Sequence, residues 1–150
     1  MDMTGEERIA APRDIVWAAL NDPDILKQCI PGCQSLEKIS PTELTATVKL
    51  KIGPVSASFN GEVTLSNINA PESYTISGEG KGGIAGFAKG GADVTLEEEG
   101  GETILRYEAK AQVGGKIAQL GSRLVDSSAK KLAQQFFADF TAALNGQASA

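Results

Sequence analysis

The stretch LRYEAKAQVGGKIAQLGSRLVDSSAKKL, residues 105–132, contains the change of period that decides the fold. Up to Val113 the apolar residues alternate. Leu105, Tyr107, Ala109, Ala111 and Val113 are separated by Arg106, Glu108, Lys110 and Gln112. A period of two sends these sets to opposite faces of a strand. Gly114-Gly115 interrupts it, and the spacing then becomes helical. Ile117, Leu120, Gly121, Leu124, Ser128 and Leu132 fall within an arc of about 120°, with Lys116, Arg123, Lys130 and Gln134 opposite. The predicted helix runs from Lys116 to Asn145. Gly146 is its expected C-cap, and residues 147–150 form a small-residue tail.

Upstream of this switch the period stays at two back to Cys33. Leu44, Ala46, Val48, Leu50 and Ile52 alternate with polar residues, and Gly53-Pro54 turns the chain. Val55, Ala57, Phe59, Gly61, Val63 and Leu65 follow, then a turn at residues 69–72. Tyr74, Ile76, Gly78 and Gly80 share a face, as do Ala92, Val94 and Leu96. Consecutive alternating strands with short turns form an antiparallel meander. Before it, residues 1–10 read as a strand. Pro12 sits at a helix start, and Ile15, Val16, Ala19 and Leu20 give that helix an apolar face beside Trp17. Asp22 then caps a second helix with Pro23 at its first position, and Pro31-Gly32 stops it. One long helix must bury its stripe on a concave sheet. The expected fold is α+β: a curved antiparallel sheet of about seven strands gripping a C-terminal helix, with two short helices after the first strand. Residues 1–146 form one domain.

Composition narrows the chemistry. The chain has 150 residues, 14 Lys+Arg, 19 Asp+Glu and no histidine, for a net charge of −5. A net acidic chain is a poor general nucleic-acid binder. Without histidine there is no imidazole acid–base pair and no histidine metal ligand. The two cysteines, Cys29 and Cys33, cannot build a four-cysteine zinc site. No apolar run reaches the ~18 residues of a membrane span. The N-terminus has no apolar signal core. The expected compartment is the cytoplasm, with both thiols reduced.

The presumed inner face is unusually small. Ala57, Gly61, Gly78, Gly80, Ala109 and Ala111 stand where a packed core favours large residues, and Gly121 and Ser128 face them from the helix. Such residues fit an apolar ligand cavity. They also fit strands bent at glycine. Gly78-Glu79-Gly80-Lys81-Gly82-Gly83 matches G-x-G-x-x-G, but no helix follows to receive a pyrophosphate. The Gly78–Gly91 region reads instead as a flexible segment able to cover a cavity mouth, with Phe87 as its apolar anchor. Cys29 and Cys33 flank a turn as buried thiols. Glu97-Glu98-Glu99 is a solvated hairpin end. Phe136, Phe137, Phe140 and Leu144 either pack on the short helices and first strand or form an exposed aromatic patch.

These residues also carry a resemblance. Ala11-Pro12-Arg13, Val16-Trp17, Leu20-Asn21-Asp22-Pro23, Cys29-Ile30-Pro31-Gly32-Cys33, Gly53-Pro54-Val55, Ala85-Gly86-Phe87 and the run from Gly114 to Arg123 are similar to the carbon monoxide dehydrogenase G-subunit family. That family sits among the START-like and birch-pollen-allergen-like helix-grip (SRPBCC) proteins. The resemblance implies a helix-grip fold with a hydrophobic cavity. It also implies an accessory role beside a molybdenum-containing carbon monoxide dehydrogenase or related hydroxylase, either recruiting it to a membrane or carrying a lipid-like or quinone-like molecule. Longer family members end in an apolar anchor. This chain stops at Ala150, so peripheral contact with the inner membrane face is expected rather than permanent anchoring.

Three functions follow as expectations. A non-catalytic carrier would line its cavity with Trp17, Leu50, Phe59, Ile76, Phe87, Tyr107, Leu120, Gly121 and Leu124, and would hold no cofactor beyond its apolar cargo. A small cyclase or hydrolase would need an inward acid–base group, for which Glu7, Asp93, Lys89 and Tyr107 are the candidates. An assembly factor would have a filled core and act through its surface.

Overall fold

A computed structural model describes residues 2–148. β1 (Asp2–Ile9) leads into α1 (Arg13–Leu20) and α2 (Pro23–Cys29). Six strands follow: β2 (Cys33–Ser40), β3 (Glu43–Ile52), β4 (Val55–Asn69), β5 (Ser73–Lys81), β6 (Phe87–Glu99) and β7 (Glu102–Gly114). They pair antiparallel in the order β1-β7-β6-β5-β4-β3-β2. α3 (Lys116–Gln119) and α4 (Ser122–Ala148) complete the chain. This is the helix-grip arrangement expected from the periodicities.

Local chemistry places the helices. The Asp22 carboxylate accepts the Asp24 amide at 2.9 Å, and Pro23 occupies the first helical position. Both satisfy or remove orphan donors at that terminus. β1 continues into α1 across Ala11, whose carbonyl accepts a 2.7 Å hydrogen bond from the buried Thr103 hydroxyl of β7. That bond locks the sheet edge to the helical layer without leaving a buried polar group unpaired.

The long helix departs from the sequence reading. The expected span Lys116–Asn145 breaks at Gly121, whose φ is +94°. α3 ends at Gln119 with Leu120 as its C-cap, and the Gly121 carbonyl then accepts the Val125 amide at 3.1 Å to open the α4 ladder. On a helical wheel Gly121 counts as a small inward residue; in the chain it is a left-handed stop. Gly146 does not cap α4 either, because that helix runs to Ala148. It takes in the first half of the expected tail, and Ser149 and Ala150 lie outside the described residues.

Two cores form. The larger joins Ile9, Val16, Ala19, Leu20, Ile25 and Cys29 to Leu65, Leu96 and Leu105 of the sheet and to Phe140 and Leu144 of α4. Phe140 and Leu144 are thus taken up by packing, not by a surface patch. The smaller core, at the other end, holds Phe59, Ala85, Ile117 and Val125.

Candidate functional site

Between α4 and the sheet lies a cavity of about 330 Å³. Its floor follows one row of residues across the strands. The register aligns Met3 with Ala109, Ala109 with Ala92, Ala92 with Ile76, and Ile76 with Leu65. All share the inner face because strand side chains alternate. Ala133, Phe136 and Phe137 of α4 form the roof, and Leu20, Leu26 and Ile30 close one end. Met3, Val63, Ile76, Ala92, Ala109, Phe136 and Phe137 are apolar and inward, yet each remains only half-buried. An apolar inner face that keeps its exposure is a cavity wall, since a filled core would have closed it.

Aromatic contacts shape the wall. Tyr107 stacks on Phe137 with ring centroids 5.3 Å apart, and Phe137 meets Phe136 edge-on at 5.1 Å. The Tyr107 ring lies over its strand partner Gly5, where a Cβ would collide with the ring itself. Trp17 stands edge-to-face against Tyr74 at 5.3 Å. Burial holds the Tyr74 phenol neutral by pushing its pKa up to about 12. The Tyr107 phenol is raised by burial and then by the nearby Glu7 charge.

The expected site residues scatter. Ile76 and Tyr107 line this cavity. Trp17 lies behind Tyr74 rather than on the wall. Phe59 and Leu50 belong to the smaller core. Leu124 covers Gly53, where a Cβ would come within 2.9 Å of its Cδ2. Leu120 is half-buried at the end of α3. Phe87 is 39% exposed, lies over Gly114 and borders a separate groove beside Val113, Ala118 and Val125. Gly121 does not face the small-residue patch: it is exposed, and a Cβ there would meet nothing within 4 Å.

The glycine-rich region is also more regular than expected. It is two paired strands, with Gly78 and Gly80 in β5 and Gly90 and Gly91 in β6, joined by a short turn whose Gly82 amide donates to the Gly86 carbonyl at 2.8 Å. A Cβ on Gly90 would run into the Lys110 carbonyl, and one on Gly91 would come within 2.9 Å of the Ile76 carbonyl. Those two glycines serve close backbone approach, whereas Ala109 and Ala92 serve the cavity.

Among the described residues the four acid–base candidates do not gather in one place. Asp93 is exposed and accepts the Thr75 hydroxyl at 2.8 Å; Lys89 is exposed as well. Glu7 is half-buried beside Tyr107, but no carboxylate lines the cavity among the described residues. Nor, among those residues, do three Cys, Asp or Glu gather to hold a metal. Both thiols are free, and burial is the main cause raising each of their pKa values, away from the reactive range. Glu97 and Glu99 pair at the surface with Arg106 and Arg8. No helix among the described residues is long and apolar enough to cross a membrane.

Sequence reasoning missed Val63, Leu65, Tyr74, Val94, Ala133 and Phe136 as wall residues. Parity with Ile76 would have added Tyr74 and Val94, and helical spacing links Ala133 to Phe136 and Phe137.

The architecture is shared widely. A conserved protein from Geobacillus kaustophilus is 30% identical, with a TM-score of 0.91 over 97% of this chain and 96% of that one. Ara h 8.0201 shares the fold at 14% identity and a TM-score of 0.68, over 97% of this chain and 98% of its own. A START superfamily protein from Mycobacterium smegmatis does so at 18% and 0.65, over 97% and 95%. Comparison with curated proteins finds no match. The family model for the G subunit of carbon monoxide dehydrogenase matches residues 5–145, nearly the whole chain, and the chain belongs to that family, CoxG.

Proposed function

We propose that this chain is a non-catalytic carrier of a lipid-like or quinone-like molecule, serving a molybdenum-containing carbon monoxide dehydrogenase or related hydroxylase. The observation that carries this is the apolar, solvent-reachable cavity of about 330 Å³, roofed by Phe136 and Phe137 and free of an acid–base pair among the described residues. Family membership supports the choice of partner class. The cargo is the only small molecule the reading requires. Native mass spectrometry of protein purified from its own host tests it: a retained apolar molecule supports the carrier, and a uniformly empty protein that also ignores apolar probes sinks it.

Contact with the inner membrane surface is favoured by one further feature. Ile84 is 81% exposed at the tip between β5 and β6, flanked by the exposed Lys81 and Lys89. A protruding apolar side chain between cations suits an anionic bilayer surface.

A further inference from the structure

The polarity of β2 is inverted at one point. Lys38 pairs with Leu44, and Leu44 pairs with Val63 on the inner face. Lys38 therefore has inner-face parity, and it borders the cavity at its rim while remaining exposed to solvent. Its neighbour Ile39 falls in the register shift between Lys38 and Ser40 and is 63% exposed. A swap of this kind costs apolar burial and places a cation beside an apolar cavity. Native sequences break the binary pattern chiefly where something other than folding is served.

The surroundings define what that cation can meet. Among the described residues Lys38 is the only ionised side chain on the cavity wall, and no carboxylate lines it. Its Nζ donates to the Asn21 carbonyl at 3.4 Å, a long contact for a group with three donors. A second donor stands on the same wall. The Tyr74 hydroxyl has no hydrogen-bond partner among the described residues, although Tyr74 is only 7% exposed. Asn21 and the Tyr107 phenol also border the cavity, so Lys38 is its one charged donor, beside a few neutral polar groups in an otherwise apolar wall.

We propose that the cavity takes a single-chain amphiphile with an oxyanion head, a carboxylate in the simplest case, and that Lys38 holds the head at the rim while the chain runs under Phe136 and Phe137. This rests on the carrier reading and specifies its cargo. Lys38 is then a specificity-determining residue. Charge-assisted hydrogen bonds are the stronger kind, and the cationic site rejects a head that brings no acceptor charge.

The test compares dodecanoate with 1-dodecanol by titration calorimetry, on the wild-type chain, Lys38→Met and Lys38→Arg. The wild type should bind the acid about tenfold tighter than the alcohol. Lys38→Met should erase that preference by weakening the acid far more than the alcohol, and Lys38→Arg should restore it. Equal wild-type affinity for the two probes overturns the proposal and leaves the carrier reading standing. Parallel loss of both probes in a folded Lys38→Met protein also overturns it, since Lys38 would then act on the wall rather than on the head. Unchanged preference in Lys38→Met, with increased aggregation, makes Lys38 a guard of the exposed sheet edge and nothing more. Failure of the wild type to bind either probe overturns both this proposal and the cavity on which it rests.

Discussion

The Tyr107 ring occupies the space that a side chain on Gly5 would need, and from there it stacks on Phe137 with 5.3 Å between centroids and 18° between planes. One glycine on β1 thereby sets the position of a ring on β7 and, through it, a ring on the cavity roof. Glycine is required here for space, since its φ is not in the left-handed region.

The first prediction follows from that overlap. Gly5→Val should drive Tyr107 off its seat and cost about 1–3 kcal/mol, the usual range for overpacking. In a Tyr107→Ala background the same substitution should cost much less. A double-mutant cycle by urea unfolding measures the coupling, and additive costs would show that the two positions are independent.

The second concerns alkaline pH. The folded-state pKa of Tyr74 is raised from 10.0 to about 12 by burial. A raised folded pKa means the native state holds the proton more tightly than the unfolded chain. This contribution is fully present below pH 10 and is lost as pH rises toward 12. The loss should amount to roughly 2–3 kcal/mol by pH 12. Unfolding free energies from pH 9 to 12 should fall less steeply in Tyr74→Phe than in the wild type. Parallel curves would mean that the phenol ionises without consequence.

Gly121 carries the third. Its φ of +94° is a conformation L residues rarely adopt, and the space beside it is open. The helical reading places Gly121 over the sheet and makes Gly121→Leu neutral or stabilising, with loss of ligand. The structure reverses both parts. Gly121→Leu should lose about 1–2 kcal/mol through backbone strain, and probe binding should be unaffected. Thermal melts paired with titration decide between the two.

The fourth tests the surface around Ile84. Ile84→Asp should leave stability within about 0.5 kcal/mol, as for most exposed substitutions. It should lower binding to vesicles containing anionic lipid by about tenfold, the worth of one buried aliphatic side chain near the surface. Co-sedimentation with anionic and neutral vesicles measures it. Equal pelleting of wild type and variant removes this tip from any membrane contact.

How far such features are legible in the sequence depends on the range of the interaction behind them. Strand and helix periods are local, so neighbouring residues alone mark the meander, the switch at Gly114-Gly115, the grip helix and the Asp22 cap. Gly121 is ambiguous for a local reason: a small residue on a helical face and a left-handed stop look alike in one letter. The small-residue face does not locate the cavity: of its positions Ala109 lines the wall, whereas Ala57 packs on the smaller core and Gly121 is exposed. Parity assigns a residue to a face and says nothing of how far along the strand the helix stands off. Thus Phe59 and Leu50 have inner-face parity but fall in the smaller core, while Ile76 and Tyr107 open onto the cavity. Lys38 is hidden for a different reason: β2, with Leu36, Lys38 and Ile39, alternates too weakly to fix its own register.

Ala109 gives the most direct test of the cavity itself. It sits in the floor row between Ala92 and Met3, half-buried and on the wall. In a filled core, Ala109→Leu would force neighbours off their rotamers and cost about 1–3 kcal/mol. In an open cavity the added carbons find space and gain about 1–2 kcal/mol of burial. The strand backbone does not oppose the change, because Ala is no better suited to a strand than Leu. Ala109→Leu should therefore unfold at an equal or higher urea midpoint while losing most of its affinity for an apolar probe such as 1-dodecanol. Ala111→Leu, one row along and outside the lining, is the control, and it should leave binding intact. A drop in stability for Ala109→Leu with binding retained would mean that the space beneath Phe137 closes in solution, and that the ligand, if any, binds elsewhere.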